Sequence, residues 1–295
     1  MLPGKNNMNK IADDIWMFDS GLPGPRVTVL GGVHGNEKPG IEVVEDFKRH
    51  DWDGVITRGS FTFGIGNPAA VLADVRYPEG DFDLNRSFGT VPTEHQHSIA
   101  VARAEVLKPI LAATDLLIDI HATLKPARPI TLSPNPSLNP LLRKLLPLFR
   151  VKTVITGKAL AEDASGKTTD AYVYEHGGIG ITLETGWMGD TAIVPRSEGG
   201  IMAALKVMGV APNVELEHTI PIALDMFDAY WSVPASADFV FTTTWENFSL
   251  LPKGTHFATD TGKKLLAPED SYVIFPKVAK LLRPGTEACL LLRKV

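Results

Sequence analysis

The chain is nearly devoid of cysteine. Cys289 is alone among 295 residues, so no intrachain disulfide can form and a hydrophobic core must hold the fold. It sits in the apolar run Ala288 to Leu292, where a buried strand cysteine is expected. No apolar stretch approaches the roughly 20 residues of a membrane span. The start, Met1-Leu2-Pro3-Gly4-Lys5-Asn6-Asn7, is too polar for a signal peptide. Together these features fit a cytoplasmic protein. Lys and Arg do not cluster with interleaved aromatics, and the net charge is -5, so neither nucleic acid nor an anionic membrane is an expected partner. Internal repeats and low-complexity tracts are also missing.

What is present is an ordinary globular balance, 44% hydrophobic and 21% charged, with enough length to bury a sizeable core. From residue 1 to 211, β-rich runs alternate with helical patterns. Strands are expected at Arg26–Leu30, Ser60–Gly64, Leu116–Ile120, Val151–Ile155 and Gly180–Glu184. Helices are expected at Pro39–Arg49, His97–Ala112, Leu138–Leu146 and Glu198–Val207. Such alternation predicts an α/β domain with a mixed, largely parallel sheet flanked by helices. Residues 212–295 change character: short β-like runs, frequent turns and little helical period predict a smaller all-β domain.

Three strand ends carry the chemistry. His34 and Glu37 follow the run Val27–Leu30 and the glycines Gly31 and Gly32. A histidine and a glutamate three residues apart can reach one point, and imidazole with carboxylate suits zinc. His121 ends the apolar strand 116–120 and supplies a third ligand. Three protein ligands leave one position open, the catalytic rather than the structural arrangement. Zinc lowers the pKa of a bound water from about 16 to about 7 and polarises a carbonyl. Glu184, at the end of another apolar strand, is the candidate general base, because a carboxylate there is costly to bury without a partner or a task. Each residue alone has a structural explanation; the conjunction in matching context favours a metal site.

The motifs Gly32-Val33-His34-Gly35-Asn36-Glu37, Asn67-Pro68-Ala69-Ala70, Asp83-Leu84-Asn85-Arg86, Asp119-Ile120-His121 and Leu183-Glu184-Thr185-Gly186 together resemble the succinylglutamate desuccinylase/aspartoacylase family, a branch of the zinc carboxypeptidase-like superfamily. The resemblance implies one Zn2+ per chain held by His34, Glu37 and His121, with Glu184 as the catalytic carboxylate. It implies that Asn85 and Arg86 hold a substrate carboxylate, for which a planar guanidinium is suited. It further implies that Asp83 hydrogen-bonds the first zinc histidine and that Arg76 stabilises the developing oxyanion. Arg76 is further from Asp83 than the family spacing suggests, with Pro78-Glu79-Gly80 between them.

The expected activity is hydrolysis of the amide bond in a small N-acyl amino acid or related carboxylate. A carboxypeptidase or esterase using the same centre is the alternative enzyme, and an inactive binding protein is the alternative of another class. The Gly166-Lys167-Thr168 triplet is not a phosphate loop, because Ala161 stands where that motif needs glycine. His95 and His97 read as a solvated helix entry. His50, His218 and His256 read as surface or β-domain residues, and Tyr172 and Tyr174 as packing. The β domain is expected to shield the site or to make subunit contacts in a homo-oligomer.

Overall fold

The computed structural model describes residues 8–162, 166–216 and 222–295. The polar start, Ser165 and His218 therefore lie outside the described residues. Strands β1 (Asn9–Ala12) and β2 (Ile15–Asp19) lead into β3 (Arg26–Gly31). Then come α1 (Lys38–Arg49), β4 (Ser60–Ile65), α2 (Pro68–Ala73), α3 (Ile99–Ala112), β5 (Leu116–Thr123) and β6 (Ile130–Ser133). The α/β part closes with α4 (Pro140–Leu145), β7 (Thr153–Thr156), α5 (Thr169–Glu175), β8 (Ile179–Trp187) and α6 (Ile193–Val207). The C-terminal strands are β9 (Asp225–Pro234), β10 (Val240–Phe241), β11 (Leu250–Leu251), β12 (His256–Asp260), β13 (Lys263–Leu266), β14 (Ser271–Ile274) and β15 (Glu287–Lys294).

The strands expected from residues 26, 60, 116 and 180 all form. β5 and β8 run past their expected ends, so His121 lies within its strand rather than beyond it and Glu184 lies inside β8 rather than at its last position. Helix α6 starts at Ile193, ahead of the expected Glu198, because a proline is tolerated in a first turn and Pro195 falls there. Helix α3 starts after His95 and His97, where the Ser98 hydroxyl accepts from Val101 N.

Twelve of the described strands form one mixed sheet in the order β1-β2-β4-β3-β5-β8-β6-β7-β9-β15-β14-β11. Parallel pairing is confined to β4-β3-β5-β8 and β6-β7-β9, so the sheet is less parallel than the sequence pattern suggests. β6 runs antiparallel to β8. This reversal places the starts of β6, β7 and β9 at the same edge as the ends of β3, β5 and β8.

Helices cover both faces, as the alternation of side chains along each strand demands. Val27, Val29, Leu116, Ile118, Ile120, Ile181 and Leu183 pack with Val43, Val44 and Phe47 of α1 and Ile201 and Leu205 of α6. The other face places Leu30 and Leu117 against Ala104, Leu107 and Leu111 of α3 and Val173 of α5. By the same alternation Asp119, His121, Thr182 and Glu184 share this second face. From residue 222 onward the described elements are strands and one 3-10 turn. β9 pairs in parallel with β7, so these strands extend the main sheet, while β10, β12 and β13 form a separate small one. Cys289 is buried in β15, and burial pushes its thiol pKa up, leaving it an inert core residue. No helix among the described residues is long and apolar enough to cross a membrane.

Candidate functional site

The loop after β3 turns on Gly32, whose φ of 63° suits glycine. Gly35 follows His34; a Cβ there would stand 2.0 Å from the Ala70 carbonyl, so only glycine lets α2 pack this closely. Asn67 caps α2 by accepting from Ala70 N, with Pro68 beginning the helix. The Asn67–Ala70 motif is therefore a helix start that buttresses the His34 loop.

Glu37 occupies the N-cap of α1 but makes no capping bond. Its carboxylate turns inward instead. Oε1 lies 2.8 Å from His34 Nδ1, and Oε2 lies 3.0 Å from His121 Nδ1 while accepting from Ala122 N at 3.1 Å. The two Nδ1 atoms stand 3.1 Å apart. All three residues are buried, and their donor atoms lie within 4.8 Å of one another.

The outer nitrogens face carboxylates. His34 Nε2 lies 3.2 Å from Asp83 Oδ1. His121 Nε2 lies 3.1 Å from Asp119 Oδ2, close but not aligned as a hydrogen bond. Thr169 Oγ1 donates to the same Asp119 oxygen at 2.5 Å. Carboxylates on Nε2 favour the tautomer that leaves each Nδ1 lone pair pointing inward. Two lone pairs and a carboxylate then face one another in a buried space, an arrangement that a cation relieves. The set of two imidazole nitrogens and one carboxylate oxygen fits a metal ion of the zinc type.

The charges respond accordingly. Burial pushes the Glu37 carboxyl up, but His121 and His34 outweigh it and hold it well below the usual carboxylate range. Burial likewise opposes ionisation of Asp83, yet His34, Arg76 and Arg86 hold it low. Burial disfavours the charged form of His121, but Asp119 and Glu37 raise its pKa well above the ordinary value.

Glu184 is the register partner of His121 across β5 and β8. Its carboxylate has no hydrogen-bond partner among the described residues. Burial pushes its pKa up, and Glu37 adds to the rise against the opposing charges of His121, His34 and Arg76. Both glutamates and Arg76 line a cavity of about 1140 Å³, whose far side is lined by residues of the C-terminal segment.

Asp83 lies against His34. Arg76 donates to Asp83 Oδ2 through Nε and Nη2 at 3.2 and 2.9 Å, and its Nη1 is 3.8 Å from Glu37 Oε1. Asn85 and Arg86 sit in the 3-10 turn after Asp83. Asn85 is buried with Oδ1 accepting from Thr169 N at 3.0 Å, and Arg86 Nη1 donates to Asn85 O at 2.7 Å. Neither belongs to the cavity wall. Lys167 pairs with Glu175 and Thr168 caps α5, so the Gly-Lys-Thr triplet serves a helix start. Sequence reasoning assigned no task to Asp119 or Thr169. The Asp-x-His spacing held the signal, because residues two apart on a strand share a face.

The family described as the succinylglutamate desuccinylase/aspartoacylase catalytic domain matches residues 23–192. The chain belongs to this family. It is 38% identical over 107 residues to a probable aspartoacylase of Nostoc, covering 33% of this chain and 35% of that protein. It is 29% identical over 178 residues to the succinylglutamate desuccinylase of Serratia proteamaculans, covering 56% of this chain and 53% of that one. The matched stretches thus span about a third to a half of these curated relatives. The fold resembles the crystal structure of succinylglutamate desuccinylase from Vibrio cholerae, with a TM-score of 0.74 at 20% identity over 99% of this chain and 92% of that one.

Proposed function

We propose that this family member is a zinc-dependent deacylase that hydrolyses the amide bond of N-acyl amino acids. The observation that carries this reading is Glu184, an unpaired carboxylate of raised pKa beside a buried His-Glu-His cluster at the wall of one cavity. His34, Glu37 and His121 would hold the ion. When bound, zinc would supply Lewis-acid polarisation of the acyl oxygen and acidify a water.

The remaining steps belong to side chains. Glu184 takes the proton of the attacking water, and its raised pKa makes it a stronger base than an exposed glutamate. The water oxygen bonds to the acyl carbon, the carbon–nitrogen bond breaks, and Glu184 returns the proton to the leaving amine. Asp83 and Asp119 keep the imidazoles oriented. Arg76, held by Asp83 beside Glu37, suits the developing oxyanion. Asn85 and Arg86 are assigned to the substrate carboxylate on family resemblance; Asn85 Oδ1 accepts from Thr169 N, which leaves its Nδ2 as the donor to that carboxylate.

Protein purified without added metal is expected to carry about one zinc per chain and to hydrolyse N-acyl amino acids faster than dipeptides or simple esters. Replacing Glu184 with Gln should leave zinc bound and lower kcat by about 10²–10⁴-fold, the range for loss of a general base. Near-normal turnover by that variant would refute the assignment, and a preference for dipeptides would replace the deacylase with a peptidase.

A further inference from the structure

The cavity extends well past Glu184. Register partners run in one row across the sheet: His121 on β5, Glu184 on β8, Ile130 on β6, Thr153 on β7 and Asp225 on β9. The last four all line the cavity. Strands are spaced by about 4.8 Å, so the trough reaches about 14 Å from Glu184 to Asp225. Its volume of about 1140 Å³ lies just above the roughly 300–1,000 Å³ of common small-molecule sites.

The far end is aromatic. Phe227, Phe248, Tyr272 and Phe275 line it, and the Phe227 ring lies 5.4 Å from the rings of both Phe248 and Tyr272. Phe248, Tyr272 and Phe275 are only partly buried, so carbon surface remains open toward the trough. Two of the four are held against backbone preference, with φ of 66° at Phe248 and 54° at Phe275. Bulky residues rarely adopt this region, and such strain persists where the surroundings over-determine it, often at ligand sites. Phe248 N donates to Val273 O at 2.6 Å and Phe275 N to Asn247 Oδ1 at 2.8 Å, which holds the backbone at both residues.

We infer that the substrate carries a bulky apolar acyl group, an aromatic ring or an alkyl chain, lying along Ile130 onto this wall. The inference rests on the deacylase reading. An acetyl or succinyl group ends far short of the aromatic surface and leaves it facing water, whereas a long apolar group covers it and gains from the burial. The C-terminal strands therefore select the acyl group.

The test compares the zinc enzyme with Phe248→Gly and Phe275→Gly, acting on N-acetyl, N-succinyl, N-phenylacetyl and N-decanoyl forms of one amino acid and on N-acetylphenylalanine. Glycine keeps the backbone N–H and suits the positive φ, so these variants add no backbone strain, and a retained cooperative thermal transition checks that each is folded. Wild-type kcat/KM is expected to favour the phenylacetyl or decanoyl form over the acetyl form by tenfold or more. Each variant should cut that ratio at least tenfold, chiefly through KM. Preference for acetyl or succinyl, preference for N-acetylphenylalanine, or a ratio unmoved in both variants overturns the inference. If no N-acyl amino acid is turned over, the deacylase reading fails, and calorimetry of N-decanoyl amino acid with Glu184→Gln decides the wall. Binding weakened tenfold by added Phe248→Gly supports the wall, and binding absent or unmoved overturns it.

Discussion

Asp119 stands behind the candidate site, in contact with His121 and away from the cavity wall. It is fully buried, two positions before His121 on β5, and its Oδ2 meets both His121 Nε2 and the Thr169 hydroxyl. Thr169 comes from α5, so the carboxylate is clamped between a strand and a helix. Carboxylates in this position orient a metal-binding imidazole and raise its basicity. Asp119→Asn keeps the shape and removes the charge. It is expected to weaken zinc binding by about 10–100-fold, measured by competition with a chelator of known affinity. Unchanged affinity with only a lower Tm would reduce Asp119 to a packing role. The buried His-Glu-His cluster was legible in the sequence because His34 and Glu37 are near neighbours and His121 follows an apolar run. Thr169 was not, because it lies 50 residues from Asp119 and only the packing of α5 on β5 joins them.

At the scale of elements, α1 and α6 pack with a carboxyl pair between them. Glu198 meets Asp46 beside Phe47 and His50. Burial, the Asp46 charge and their hydrogen bond raise Glu198 to about 7. The folded chain thus holds this proton more tightly than the unfolded one. Its contribution to stability is fully present below the ordinary glutamate range near 4.5 and is lost as pH rises through about 7. Glu198→Gln is therefore expected to raise Tm at pH 8 and to leave it nearly unchanged at pH 4. The gain should be about 1 kcal/mol or less, because water screens a partly exposed pair. A Tm difference of the same size at both pH values would rule out titration of Glu198 as the cause. The long helices α1, α3 and α6 were legible from their periodicity, whereas α2 and α5, six and seven residues long, were not; α4 is equally short, but it runs on into a 3-10 turn and so offered a longer apolar pattern. β6 has four residues and gave no strand signal of its own.

For the whole molecule, the candidate centre joins residues 34, 37 and 121, so an ion there braces the β3 and β5 ends together. Stripping the metal is expected to lower Tm by several degrees, and readdition of zinc should restore it. At free metal 100-fold above Kd the stabilisation is about 2.7 kcal/mol. Calorimetric scans with and without chelator give the comparison; coincident scans for zinc-loaded and stripped protein would argue against an ion bound at this centre.

The sequence alone pointed to the candidate metal-binding residues, the α/β alternation and the family, because these depend on residue types at short spacing and on the periods of strand and helix. Only the tertiary structure decided which residues share the trough. β6 reverses direction against β8, and that one pairing brings the starts of β7 and β9, with the aromatics of the C-terminal segment, to the edge that carries His121 and Glu184. Strand order and register arise from contacts between segments far apart in the chain, and no local pattern encodes them.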